Sequence, residues 1–118
     1  MLCQKIEITV HGCSAHGSQP HLGHDAIVAA SAFVMNSQCL ASRVTDPLQD
    51  MVLTFNKVAA GSQFNIITDT AVLSGALGYN TAEHGALLRK ELEKILRNTV
   101  AMLDCTAEIT FGEVEERA

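Results

Sequence analysis

Polar and apolar positions alternate strictly from Lys5 to His11 (KIEITVH), the period-2 signature of a strand with one buried face. The rhythm then changes. From Asp25 to about Ser42 (DAIVAASAFVMNSQCLAS) the chain is alanine-rich and apolar, with Asp25 placed to cap a first helical turn and Pro47 limiting any extension, so a helix is predicted there. Its small residues Ala29, Ala30 and Ala32 let the backbone lie close on a sheet. Met51 to Ala59 (MVLTFNKVA) is rich in β-branched and aromatic residues, ends near Gly61, and is followed after a loop by Thr68 to Tyr79 (TDTAVLSGALGY). These predict a second and a third strand, antiparallel to one another. In the third, Ala71, Leu73, Leu77 and Tyr79 share a face with Gly75, where the missing side chain predicts a bulge or a closely crossing helix. Asn80 opens an N-x-x-E start with Glu83 for a second helix, whose Leu88, Leu92, Ile95, Thr99 and Leu103 fall on one stripe. Glu93 and Arg97 support its exposed side. Alternation returns from Thr106 to Glu113, with Ala107, Ile109 and Phe111 on one side of a fourth strand.

The order is βαββαβ, an α+β, ferredoxin-like pattern in which two helices cover one face of a four-stranded antiparallel sheet. Its spatial strand order, 4-1-3-2, makes the first and third strands central neighbours running oppositely. The loop around His16 then lies near the loop from Ala60 to Asp69. Both chain ends leave from one end of the sheet, the arrangement of a unit that can be inserted in a larger chain. At 118 residues the whole length, 1–118, reads as one domain with one core.

Composition narrows the partners. The formal net charge is -5 and Glu113, Glu115 and Glu116 crowd together, so no basic face exists for nucleic acid or an anionic membrane. The longest apolar run, Ala26 to Met35 broken only by Ser31, is too short to span a bilayer, and MLCQKIEITV lacks a hydrophobic signal core. A cytoplasmic protein is expected. Cys3, Cys13, Cys39 and Cys105 lie far apart without a C-x-x-C pair, which predicts reduced thiols. The topology also sets Cys3 and Cys105 at opposite ends of their paired strands, against a disulfide.

The candidate chemistry concentrates in AHGSQPHLGHD, Ala15 to Asp25. His11, His16, His21 and His24 are dense enough to suggest metal ligands, yet their spacing around a Gly- and Pro-containing loop is not that of a zinc site. Solvated loop histidines without a role are the plainer reading. Cys13 and His16 form a conceivable thiolate pair, with nothing flanking them to make an oxyanion hole. No G-x-S-x-G elbow, phosphate-binding glycine loop or H-E-x-x-H helix is present. What remains is a loop surface bearing His16, His21 and Asn65, all able to donate hydrogen bonds to an anion or a carbonyl oxygen. A freestanding ferredoxin-like module binding a small ligand or a metal is therefore one function compatible with these residues.

The segments ITVHGCSAHGSQPHLGHDAIVAASAFV and AGSQFNIITDTAVLSGALGY carry a G-x-x-x-H-G-x-x-P-H-x-G-x-D motif and a later G-x-x-x-N-I-I-x-D motif, Gly61 to Asp69. With them the chain resembles, over essentially its whole length, the lid or dimerisation domain of the zinc-dependent exopeptidase and amidohydrolase family. That family includes aminoacylases, carboxypeptidase G, hippurate hydrolases and indole-acetyl-amino-acid hydrolases. The wording A-H-G-S-x-P-H is most similar to the branch that cleaves N-acyl or N-aroyl amino acids. The resemblance implies a unit inserted in a catalytic domain that holds two divalent metals, zinc or manganese. It implies a homodimer, here through strand 51–59 and helix 25–42, acting on a small N-acyl amino acid. His16 would donate to the scissile carbonyl oxygen in the partner's active site. Asn65 would hold bound substrate; His21, with Gly17 and Pro20, would shape the loop. The chain departs from the family pattern at three places. Gly75, Ala76, Leu77 and Gly78 stand where G-T-x-R usually grips the substrate carboxylate, Thr68 replaces the proline of N-x-I-P-D, and Ala26 replaces a proline of the first helical turn. The metal ligands and general base implied by the family lie in its catalytic domain, so these residues alone are expected to hydrolyse nothing.

Overall fold

The computed structural model describes residues 1–117. Its long strands are β1 (Leu2–His11), β3 (Met51–Ala60), β5 (Thr70–Tyr79) and β6 (Thr106–Phe111); its helices are α1 (Ala26–Ser37) and α2 (Ala82–Ala101). Three two-residue strands complete the set: β2 (Ala15–His16), β4 (Ile66–Ile67) and β7 (Glu115–Glu116). The long strands stand in the order β3-β5-β1-β6, all antiparallel, with β7 pairing to β1 as a fifth member. The class is α+β, and the fifth strand and a separate β2-β4 ribbon lie outside the four-strand expectation.

Burial follows the alternation that the sequence displays. Ile6, Ile8 and Val10 of β1 and Ala71, Leu73, Leu77 and Tyr79 of β5 face the helices and are buried. They meet Phe33, Ala29 and Ala30 of α1 and Leu88, Leu92 and Leu96 of α2 in one core. Phe33 packs edge-to-face on Phe55 of β3 with ring centroids 5.6 Å apart. The gap at Gly75 has a definite cause: β3 bulges between Phe55 and Lys57, and a Cβ on Gly75 would sit 1.9 Å from the carbonyl oxygen of Thr54. A polar exception crosses the core at the far end, where the Tyr79 hydroxyl donates to Gln4 Oε1 (3.0 Å) and Arg89 donates to both groups (2.9 Å each).

Several element limits differ from expectation. The first helix ends at Ser37 instead of Ser42, because the backbone widens into a π-type turn over Leu40–Val44 that buries Leu40. In the second helix the cap is Thr81, whose hydroxyl accepts from the His84 N–H; Asn80 and Glu83 are not the capping pair. The buried stripe of α2 runs through Leu96 and Val100 more deeply than through Ile95, and Leu103 lies past the helix end. The third strand starts at Thr70 and β6 stops at Phe111, each two residues inside the predicted limit.

The sheet has two distinct ends. At one, here the base, the Arg117 N–H donates to the Met1 carbonyl (2.8 Å), Leu2 pairs with Glu116, and Met51 pairs with Tyr79. At the other, the tip, His11 pairs with Thr70 and Ala60 with Ala71.

Candidate functional site

The tip is built from the two loops that the antiparallel β1-β5 pairing brings together. Gly12 N–H donates to the Asp69 carbonyl at 2.7 Å, and β2 then pairs with β4 so that His16 stands opposite Ile66. Gly17 N–H donates to the Asn65 carbonyl at 2.7 Å, and a Cβ on Gly17 would approach that oxygen to 3.1 Å, so the glycine permits the close approach. The loop of His16 is closed behind it by reciprocal 2.9 Å bonds between Cys13 and His24. Gly12 is held there too, since a Cβ would meet the His24 carbonyl oxygen at 2.1 Å. Asp25 anchors the loop to the helix by accepting from Ile27 N–H (3.0 Å) and Val28 N–H (3.2 Å).

His16 is exposed, and its Nδ1 receives the backbone N–H of Ser18 at 3.1 Å and lies 2.7 Å from the Ser18 hydroxyl. A backbone N–H can only donate, so Nδ1 is an acceptor and the proton of the neutral ring resides on Nε2. Nε2 has no hydrogen-bond partner among the described residues. The result is an imidazole whose outer nitrogen is a preset donor. Sequence reasoning singled out His16 and passed over Ser18, whose only signal is its place two residues on in H-G-S.

Asn65 is half-buried and is joined to His16 through the Gly17 bond, so the structure brings these two together. His21 sits apart from them on a short 3₁₀ turn, Pro20–Leu22, exposed and with no side-chain hydrogen bond among the described residues. The turn is tied back by Gln19 N–H to the His16 carbonyl at 2.9 Å. The Cys13–His16 pair does not form: the Cys13 thiol faces the Ser14 carbonyl at 3.8 Å, and His16 Nδ1 is occupied by Ser18. Cys105, buried beside the tip, is held above the ordinary cysteine range first by burial and then by the charges of Asp25 and Asp104, which keeps it a neutral thiol. All four cysteines are free.

Among the described residues no three His, Cys, Asp or Glu side chains are arranged to hold a metal ion. His11 pairs instead with Glu108 (3.1 Å) and His24 lies 3.9 Å from Asp104. The resemblance assigns its two metals to a catalytic domain, and the described residues offer no cluster that would hold them. A trough of about 520 Å³ does exist, but at the base, lined by Cys3, Lys5, Ala76, Glu113 and Arg117 and remote from His16. No helix among the described residues is long and apolar enough to cross a membrane.

Residues 4–101 match the family model of the M20 peptidase dimerisation domain. The chain is 36% identical over 109 residues to an N-acetyldiaminopimelate deacetylase of Lactococcus lactis subsp. cremoris, covering 92% of this chain and 29% of that enzyme. It is 34% identical to the deacetylase of the same name from Streptococcus pneumoniae, with the same coverage. The chain thus spans less than a third of the length of these relatives. Among solved structures, the YXEP protein of Bacillus subtilis, a dinuclear metal-binding peptidase of the M20 family, shares the fold with a TM-score of 0.69 at 19% identity over 93% of this chain and 25% of its own.

Proposed function

The chain belongs to the M20 peptidase dimerisation domain family, and from that premise we propose that it is the lid of a dimeric metal-dependent amidohydrolase that cleaves the amide bond of N-acyl or N-aroyl amino acids. The relatives deacetylate N-acetyldiaminopimelate by name, which supports an N-acyl amino acid as the substrate class. The two divalent metals, zinc or manganese, belong to a catalytic domain outside these residues, and the lid alone is inactive. The parent enzyme works in the cytoplasm, in keeping with its free thiols.

The observation that carries this reading is the fixed tautomer of His16. A bond under attack gathers negative charge on its carbonyl oxygen, and a donor already aimed outward stabilises that charge without reorganising. The Ser18 N–H holds His16 in that state before substrate arrives. Asn65, whose side-chain amide has no hydrogen-bond partner among the described residues, is the second group available to bound substrate. His21 supports the loop.

Dimerisation supplies the site on which His16 acts. The two edges of the sheet are unlike: β6 exposes Thr106, Glu108 and Thr110, whereas β3 exposes Val52, Val58, Ala59 and Ala60 beside Thr54, Asn56 and Lys57, its one charge. A ten-residue edge strand with one charge and unpaired backbone groups favours a second strand. Beside it, Ile27, Ala30, Ser31 and Val34 of α1 form an apolar groove with Val58 and Ala60. The homodimer therefore uses β3 and the face of α1 between Ile27 and Met35. If two copies of β3 pair antiparallel about a two-fold axis, the tip of one lid lies beside the base of the other. The base is where both chain ends meet, so His16 reaches toward the domain carried by its partner. A stable interface needs about 800 Å² per partner, a modest share of the 7028 Å² surface of the domain. Sedimentation equilibrium of the isolated domain at high micromolar concentration is expected to give a dimer, and a strictly monomeric species contradicts the proposal.

A further inference from the structure

Phe64 is 103% exposed, its ring touching nothing in the domain. Single exposed apolar side chains are ordinary; this one has company. Leu22 (59%) and Ile66 (39%) are also exposed, Leu22 on the turn behind His16 and Ile66 directly opposite His16 in the ribbon. The three lie on the same two segments as the imidazole. Exposed apolar side chains on the segments that carry a polar donor suit a binding surface. The backbone of Phe64 is tied to that of His16, because Ile66 N–H to Gln63 carbonyl closes a turn with Phe64 and Asn65 at its centre, and Gly17 fastens Asn65 to the His16 strand.

Charge decides which half of a substrate this surface fits. An N-acyl amino acid has a carboxylate on one side of the scissile amide and an apolar acyl group on the other. The two tip segments, residues 12–25 and 60–69, contain no Lys or Arg, and their carboxylates are Asp25 and Asp69. The carboxylate half would find no fixed positive charge there, while an acyl group would find Phe64 and Leu22.

We infer that Phe64 is the acyl-selecting residue of the parent enzyme: resting on the His16 reading above, its ring covers an apolar acyl group in the partner's active site while His16 donates to the adjoining carbonyl oxygen. A bulky acyl group gains more from this contact than an acetyl group does. The test compares kcat/KM of the parent enzyme for the N-benzoyl and N-acetyl derivatives of one amino acid. Phe64→Ala is expected to lower the benzoyl-to-acetyl ratio about tenfold or more, the scale set by apolar pocket contacts, and Phe64→Leu to recover part of it. The ratio is internal to one preparation, so incomplete folding does not move it. A smaller fall in Phe64→Ala, or a wild-type enzyme that leaves the benzoyl derivative intact, overturns the inference. His16→Ala separates the two ideas, because it slows both derivatives alike if the His16 reading holds. A slow His16→Ala enzyme with an unchanged Phe64→Ala ratio removes Phe64 alone; a His16→Ala enzyme of normal rate removes the reading beneath it.

Discussion

Replacing His16 by alanine in the parent enzyme is expected to lower kcat by about 100-fold or more, with metal content unchanged. The magnitude follows from the kind of interaction lost. The Nε2–H of His16 is available as a donor because Nδ1 is committed to Ser18, and its stabilisation is greatest when the carbonyl oxygen carries negative charge. An interaction that strengthens in the transition state lowers kcat when removed, instead of raising KM alone. Because His16 is exposed and its side chain makes no bond beyond Ser18, the alanine variant retains the fold. Steady-state kinetics with metal analysis on the same sample checks the result, and unchanged turnover removes His16 from the mechanism.

The second large effect is expected from Val58→Asp on the edge strand. Val58 is 64% exposed in the isolated domain, so a charge there is solvated and the monomer still folds. In a two-fold dimer through β3, each such carboxylate loses water against apolar groups of the interface without gaining a partner charge, which disfavours association strongly. Dimerisation is expected to weaken, with Kd rising about 100-fold or more, a cost of about 2.7 kcal/mol. If the donor comes from the other subunit as proposed, turnover then falls in step with the dimer fraction. Sedimentation and kinetics over one concentration series check both. A Val58→Asp enzyme that is dimeric and fully active contradicts the assigned interface.

Much of this architecture was legible where a face is buried on a regular period. The alternation at Ile6, Ile8 and Val10 and the stripe through Leu88 and Leu92 both mark residues that the core covers. Backbone-driven features left no such trace. Glu115 and Glu116 form a strand by pairing with Leu2 and Cys3 through main-chain groups while both side chains stay in water, so no apolar pattern announces it. The ribbon of Ala15–His16 and Ile66–Ile67 is too short to show a period. The π-type turn after Ser37 keeps Leu40 buried and therefore reads as continuing helix. At the tip, the residue types of His16 and Asn65 were readable, but the tautomer depends on Ser18 and on a bond length. Phe64 left no signal of its own in the Ala60–Asp69 loop, and only its full exposure makes it a candidate for contact with substrate.

That one lid completes the other subunit's reaction centre is tested most directly by mixed dimers. His16→Ala parent enzyme and a parent enzyme lacking its metal ligands, each nearly inactive alone, are dissociated together and allowed to reassociate in equal amounts. If His16 acts across the interface, activity returns to about one quarter of the wild-type rate, because half of the dimers are mixed and each holds one complete site. If the imidazole serves its own subunit, the mixed dimer contains no complete site and the rate stays at the level of the separate variants.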